Sequence, residues 1–356
     1  MTNSDDIRDL MAIPEAARSM FHAAAVSESG LITERAIKFA GLRQVEKPFE
    51  VLLANADADQ GAAAGAGRAG PGTVGQVPLL SILIPAFNHP AGVARIFEQL
   101  RPMRGSAELE IMVSDDSSDD AAAASISASC ASFPNALYRR NSPPLGAVAN
   151  WNWLLDAARG HYSWLLHHDE APADGAALAR TVPQLARSDS ADVWILACHV
   201  QHRPGARARL HFPPRWSAAL LQRWPAYLLR RNIIGSPSAL VVRSAVYARF
   251  NPGLAWLVDV EAYIRCLQAA HSVAAWRGPG VMSTLDDTAS ITATLRPQLA
   301  ATAKRERAWL KQGDAGCSVW LATGLPAAAV RGLELLAWMT WRLGQRLWHL
   351  VSGRVS

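Results

Sequence analysis

Five stretches decide the reading of this chain. Leu79–Pro90 is LLSILIPAFNHP, Leu109–Asp120 is LEIMVSDDSSDD, and Arg139–Glu170 is RRNSPPLGAVANWNWLLDAARGHYSWLLHHDE. Asn232–Val246, NIIGSPSALVVRSAV, and Trp256–Leu267, WLVDVEAYIRCL, follow. Each apolar run is a candidate buried strand or helix bordered by carboxylates, amides or histidines. An open α/β sheet collects its ligand groups at the carboxyl ends of its strands.

Between these runs the period changes. AGVARIFEQLRPM places Val93, Ile96, Phe97 and Leu100 on one helical face, and an Ala-rich helix is expected around Ala121–Ala131. GAVANWNWLLDAARG reads as a helix closed by Gly160, and YSWLLHH as a short buried strand. Strands alternating with helices predict an α/β fold, a mostly parallel mixed sheet flanked by helices.

The 356 residues are 50% hydrophobic and 18% charged, enough for a substantial core. Cys130, Cys198, Cys266 and Cys317 are far apart with no CxxC spacing, which points to a reducing cytoplasm. The start MTNSDDIRDL is acidic and lacks the apolar core of a secretion signal. No charge-free window of about 20 residues predicts a membrane span. The net charge of +5 is matched by the tail, where eight Lys or Arg between Ala300 and Ser356 face Glu306, Asp314 and Glu334. That balance favours an anionic surface as neighbour, and no nucleic-acid reader motif accompanies it.

Four regions follow: a helical extension over 1–53, a Gly/Ala-rich linker over 54–77, a catalytic domain over 78–300 and a basic helical tail over 301–356. On a tail helix from Pro326 to Leu350, Arg331, Glu334, Arg342, Gln345, Arg346 and His349 form one stripe. Trp338, Trp341 and Trp348 lie within or beside it. That pattern suits either an interfacial membrane helix or packing onto the catalytic domain.

The polar edges carry the chemistry, and singly each has a plain reading. Asp115 and Asp116 on a Ser-rich turn are acceptors for an imide N–H or ribose hydroxyls, or a cap for the next helix. His167, His168, Asp169 and Glu170 leave an apolar strand in succession. A carboxylate there can hold a hard divalent ion that also touches phosphate, or the run is a solvated loop capping a helix near Pro172. Asp259 and Glu261 open a helix; Asp259 suits a general base, whereas Glu261 pairs with Arg265 at i,i+4. Cys198 and His199 are neighbours on a strand, point to opposite faces, and with His202 make a poor metal set. Trp216 and Trp224, which flank a Pro/Arg-rich segment, suit either core packing or the wall of a cleft.

In order and spacing, the edges together resemble a family 2 glycosyltransferase with the GT-A nucleotide-diphospho-sugar fold. Pro85, Ala86, Phe87 and Asn88 match its P-x-(Y/F)-N; Val113 through Ser118 match V-x-D-D-x-S. Arg140, Asn141, Gly146 and Asn150 match the next conserved stretch, ARGHYSWLLHHDE the segment carrying Asp-x-Asp, and VDVEAYIRCL the base-carrying helix. The resemblance spans about 210 residues. It implies inverting transfer from a nucleotide-diphospho-sugar to an acceptor hydroxyl, in surface polysaccharide or lipopolysaccharide synthesis, by a cytoplasmic enzyme on the inner face of the membrane. It implies a donor site from Pro85, Phe87, Asn88, Asp115, Asp116, Asn141, Asn150 and His168. Asp169, with His167, would hold Mg²⁺ or Mn²⁺, Asp259 would be the base, and the acceptor would be a glycan or lipid-linked. The chain departs from the pattern at His167, which replaces the first Asp, and at Val258, which replaces a Glu. Only Asp286 and Asp287 stand where a later His is usual. The rival reading is a catalytically weak nucleotide-sugar-binding or scaffold protein of the same fold.

Overall fold

The computed structural model describes residues 77–187, 189–201, 208–284 and 299–312. All belong to the unit Ala69–Ser356, one of two into which the chain divides. The extension 1–53, nearly all of the linker and the tail helix over 326–350 lie outside the described residues. So do His202, Asp286 and Asp287.

Strand β1 (Leu80–Ala86) is buried along its whole length, as is β2 (Leu109–Asp115). Continuous apolar strands of this kind need cover on both faces. Helix α1 (Pro90–Leu100) supplies part of it, burying Val93, Ile96, Phe97 and Leu100 as their spacing predicts. Helix α2 (Asp120–Ala131) buries Ala122, Ala123, Ile126 and Cys130. Its cap is Asp119, whose carboxylate accepts from the amides of Ala121 and Ala122; Asp115 and Asp116 are left for other work.

β3 (Ala136–Arg140) is the edge strand. Helix α3 (Ala147–Ala157) leads back to β4 (Tyr162–Leu165) on the far side of β1. Gly160 does not close α3, which stops at Ala158. A Cβ on Gly160 would meet the Ser81 amide nitrogen at 2.6 Å, so close approach to β1 is the reason for glycine.

β5 (Glu170–Pro172) is a short strand where sequence suggested a loop entering a helix; helix α4 (Gly175–Thr181) starts later, capped by Asp174. Then come β6 (Val193–Ile195), β7 (Cys198–Gln201), β8 (Arg209–Leu210), α5 (Pro214–Arg223) and β9 (Leu240–Arg243). Helix α6 (Val258–Ala269), β10 (Val273–Ala275), β11 (Val281–Thr284) and α7 (Leu299–Gln312) complete the order.

The main sheet runs β10-β6-β9-β4-β1-β2-β3, and a smaller sheet runs β5-β11-β7-β8. β1 is parallel to β2 and β4, β2 to β3, and β6 to β10, while β9 is antiparallel to β4 and β6. Register sets Ala86 beside Asp115 and Asp115 beside Arg140, so the polar edges open on one side. The strand order reverses between β1 and β4, the place where such sheets form a ligand crevice.

Helix α7 returns to this edge through a carboxylate. Glu306, 5% exposed, accepts from the amides of Ala255 at 2.7 Å, Trp256 at 3.1 Å and Leu257 at 2.8 Å. Leu257 is the N-cap of α6 and has no side-chain cap of its own. Glu306 therefore satisfies amides at the mouth of the helix that carries Asp259. Glu306→Ala should cost about 2–3 kcal/mol in urea unfolding, and amide exchange at residues 255–257 should accelerate.

Candidate active site

The β1 edge is held to the β2 edge by Asn88. Its φ of 48° lies in the left-handed region that Asn tolerates. Its amide nitrogen donates to Ser118 Oγ, its carbonyl accepts from the Asp119 amide, and its backbone N–H donates to Ser117 Oγ at 2.8 Å. Phe87 beside it is 52% exposed, an aromatic ring standing free at the sheet edge.

Asp115 and Asp116 are both buried. Asp115 accepts from the Ser117 amide and, at 2.9 Å, from the Tyr138 hydroxyl. Burial and this carboxylate push the Tyr138 phenol upward. Asp116 accepts from Asn141 Nδ2 at 2.7 Å and from the amides of Leu145 at 3.1 Å and Gly146 at 2.8 Å. Gly146 has φ 82°, which lets its N–H face the carboxylate as α3 begins. Both carboxylates thus shape the turn. The acceptors left over are Asn141 Oδ1 and Asn150 Oδ1, each buried without a donor. Asn150 Nδ2 is fixed on the Ser114 carbonyl at 3.0 Å.

The loop after β4 faces this edge across Gly92, where a Cβ would strike the His168 carbonyl. His168 Nδ1 lies 2.9 Å from the Pro85 carbonyl. A carbonyl only accepts, so Nδ1 carries hydrogen in this contact. His89, with its ring centroid 5.3 Å from that of His168, is the converse: its Nδ1 accepts from the Gly92 amide. His167 packs its ring on Trp151 at 4.9 Å, and its Nε2 is buried without a partner. Desolvation holds this imidazole below its usual range, hence neutral.

The Asp169 carboxylate makes no hydrogen bond or ion pair among the described residues; its backbone carbonyl receives Arg95 at 3.4 Å. Among those residues no group of three or more His, Cys, Asp or Glu is gathered to hold a metal ion. The donor set instead suits a hard cation bringing phosphate and water ligands of its own, for which one or two carboxylates suffice. Asp169 fits that requirement. The Nε2 atom of His167, enclosed behind Trp151, does not.

Sequence reasoning gave no particular role to the residues that join the two halves of the site. Glu170 is buried, accepts from Ser236 Oγ at 2.8 Å, and is held above the usual carboxylate range by burial and Asp169. At the other end of the same turn, Asn232 Nδ2 reaches the Gly235 carbonyl at 2.8 Å and Asp259 Oδ2 at 3.4 Å. Gly235 has φ 105°, and its carbonyl also receives the Tyr263 hydroxyl at 3.2 Å. Residues 232–236 therefore touch the loop after β4 and the first turn of α6 at once. The available signal was the N-x-x-G turn pattern. Asp259 is pushed up to about 6, mainly by burial. Glu261 pairs with Arg265 at 2.6 Å, the i,i+4 contact its spacing predicts.

Residues 81–244 match the family described as glycosyl transferase family 2. The match covers just under half of the chain, and over it the described α/β sheet is the GT-A arrangement. The uncharacterized protein MT1568 of Mycobacterium tuberculosis (strain CDC 1551 / Oshkosh) is 29% identical over 211 residues, 53% of this chain and 62% of that protein. Rv1520 of M. tuberculosis (strain ATCC 25618 / H37Rv), also uncharacterized, is 28% identical over 171 residues, 47% of this chain and 48% of that one. The chain thus spans less than two thirds of the length of these curated relatives. Among solved structures, S. aureus TarS 1-349 with UDP-GlcNAc superposes with TM-score 0.49 at 13% identity, over 66% of this chain and 67% of that one. The mannosyltransferase PcManGT from Pyrobaculum calidifontis, with GDP-Man and Mn²⁺, gives 0.45 at 14%, over 77% and 81%.

The three donors converging on Asp116 yield a prediction. Asp116→Ala leaves them without their acceptor and should lower stability by about 2–3 kcal/mol in chemical denaturation.

Proposed function

We propose that this protein is a glycosyltransferase that moves a sugar from a nucleoside-diphospho-sugar to an acceptor hydroxyl with inversion, Asp259 taking the acceptor proton. The observation that carries the reading is Asp259 itself. It is a carboxylate raised to about 6, fixed by Asn232 on the turn that also holds Glu170 beside Asp169. A base poised just below neutral pH is ionised when needed yet basic enough to accept a proton in the transition state.

The steps balance as follows. The acceptor oxygen bonds to the anomeric carbon while its proton passes to Asp259. The glycosidic bond to the diphosphate breaks, and its electron pair leaves with the nucleoside diphosphate. Phe87 offers a ring for the base, and Asn141 Oδ1 and Asn150 Oδ1 offer acceptors to its N–H groups or to ribose hydroxyls. A divalent cation, Mg²⁺ or Mn²⁺, would be held by Asp169 and would neutralise charge on the departing diphosphate. The setting we favour is synthesis of a surface polysaccharide or lipopolysaccharide on the inner face of the cytoplasmic membrane, with a glycan or lipid-linked acceptor. No helix among the described residues is long and apolar enough to cross a membrane. His167, in place of a carboxylate, supports the second reading, a protein that binds nucleotide sugar and turns it over weakly.

Asp259→Asn keeps the shape but cannot take a proton. Transfer should fall by about 10²–10⁴-fold with donor affinity near normal, measured by product formation and calorimetry. Loss on Glu261→Gln with retained turnover in Asp259→Asn would move the base to Glu261. In the wild type, transfer should rise with pH through about 6 as the carboxylate ionises. The stability effect has the opposite sign. Between pH 3.8 and about 6 the folded protein keeps a proton that the unfolded chain has released. Stability from this group is therefore full below 3.8 and is lost as pH rises through about 6. Above that pH, Asp259→Asn should melt at a higher temperature than the wild type.

Asp169→Ala should abolish the Mn²⁺ dependence of nucleoside diphosphate binding, and His167→Ala should leave most of it. Equal affinity of the wild type with Mn²⁺ and with chelator would remove Asp169 from the role of ligand.

A further inference from the structure

The total charge conceals a local imbalance. Between Val193 and Val258 the chain carries nine arginines and no aspartate, glutamate or lysine. Arg243 reaches Asp192 at 2.7 Å and Arg249 reaches Asp156 at 2.6 Å, both carboxylates outside the segment. Helix α5 gives the imbalance a direction. At 100° per residue, its exposed Arg215, Trp216, Ala219, Gln222 and Arg223 fall within an arc of about 120°. Ser217, Ala218 and Leu221 are buried on the other side.

Gln222 is tied to the His271 carbonyl and the Val273 amide. Arg215 and Arg223 form no ion pair among the described residues. Trp216 is 44% exposed, and Arg209 on β8 is exposed too. A face that serves only solubility mixes charges of both signs. A face of guanidinium groups around an indole, with no carboxylate, complements lipid phosphate: the indole enters the headgroup layer while arginine shafts lie along its apolar boundary.

The same helix buttresses the acceptor turn. Ser217 Oγ donates to the Ile233 carbonyl at 3.0 Å, and the adjacent Asn232 reaches Asp259. We propose that the arginine–tryptophan face of α5 docks on an anionic lipid surface, bringing an acceptor at that surface to the turn beside Asp259. The placing of the acceptor rests on the transfer reading; the docking does not.

Co-sedimentation of the full chain with phosphatidylglycerol–phosphatidylcholine vesicles, and with phosphatidylcholine vesicles alone, tests the docking without any turnover. Its failure is therefore separate from failure of the transfer reading. The wild type should bind the anionic vesicles, and more weakly as salt rises. Arg215→Gln/Trp216→Ser/Arg223→Gln should weaken that binding roughly 30-fold or more. Arg101→Gln/Arg104→Gln, which removes the same charge at the end of α1, should leave it near the parent's. Residues 326–350 are present throughout, so any contribution from them is constant. The single variants Arg215→Gln and Arg223→Gln, each expected to lose about fivefold, keep the test readable if the triple variant fails to fold. Unchanged binding by the α5 variants, equal loss in the α1 variant, or equal binding of the wild type to neutral vesicles overturns the proposal. Capture by soluble polyphosphate without vesicle binding also overturns it and assigns the face to a dissolved polyanion.

Discussion

Strand β1 pairs in parallel with β2 on one side and β4 on the other, and nearly everything else follows from those two pairings. They bring the ends of β1, β2 and β4 to one edge, and β3 joins through β2. The opposite end is pinned by a buried carboxylate. Glu110 accepts from the Ser81 hydroxyl at 2.6 Å and from the Arg159 guanidinium at 2.6 Å and amide at 3.0 Å. Gly160 passes Ser81 at a distance no side chain allows. With β1, β2 and β4 fastened there, the loops at the other edge can differ in chemistry without altering the sheet.

That edge is made of two unlike halves. The half around Asn88, Asp116 and Asn150 is braced by internal hydrogen bonds, with only the Oδ1 atoms of Asn141 and Asn150 left open. The half around Asp259 hangs on the turn 232–236 and on one carboxylate from α7. It also carries the energetic burden of Asp259, whose burial opposes its ionised form. If Asp259 is the base proposed above, this burden is the usual form of the trade between stability and activity.

The fold was readable because α1 and the buried strands have long, regular periods, and because the polar edges come in a distinctive order. The small sheet was not readable: strands of two to four residues such as β5 and β8 show no periodicity. Nor could sequence say which acidic group in VSDDSSDD does what. Asp119 caps the helix while Asp116 holds a turn thirty residues ahead, a matter of register rather than residue type. Glu306 was hidden for another reason. A glutamate among Lys304, Arg305 and Arg307 reads as part of a solvated helix face, and only the packing of α7 turns it toward the amides before α6. The arginine-rich segment was masked by arithmetic, since acids elsewhere cancel it in the total.

The imidazole of His167 sits against the indole of Trp151, its backbone N–H is spent on Ser238 Oγ, and its Nε2 meets no donor. An aspartate at that position would set its charge against an aromatic face in a buried place. Position 167 and Trp151 pack as a pair. A substitution at 167 is thus a packing event as much as a change of charge, since an acid there gives up the ring that lies against Trp151.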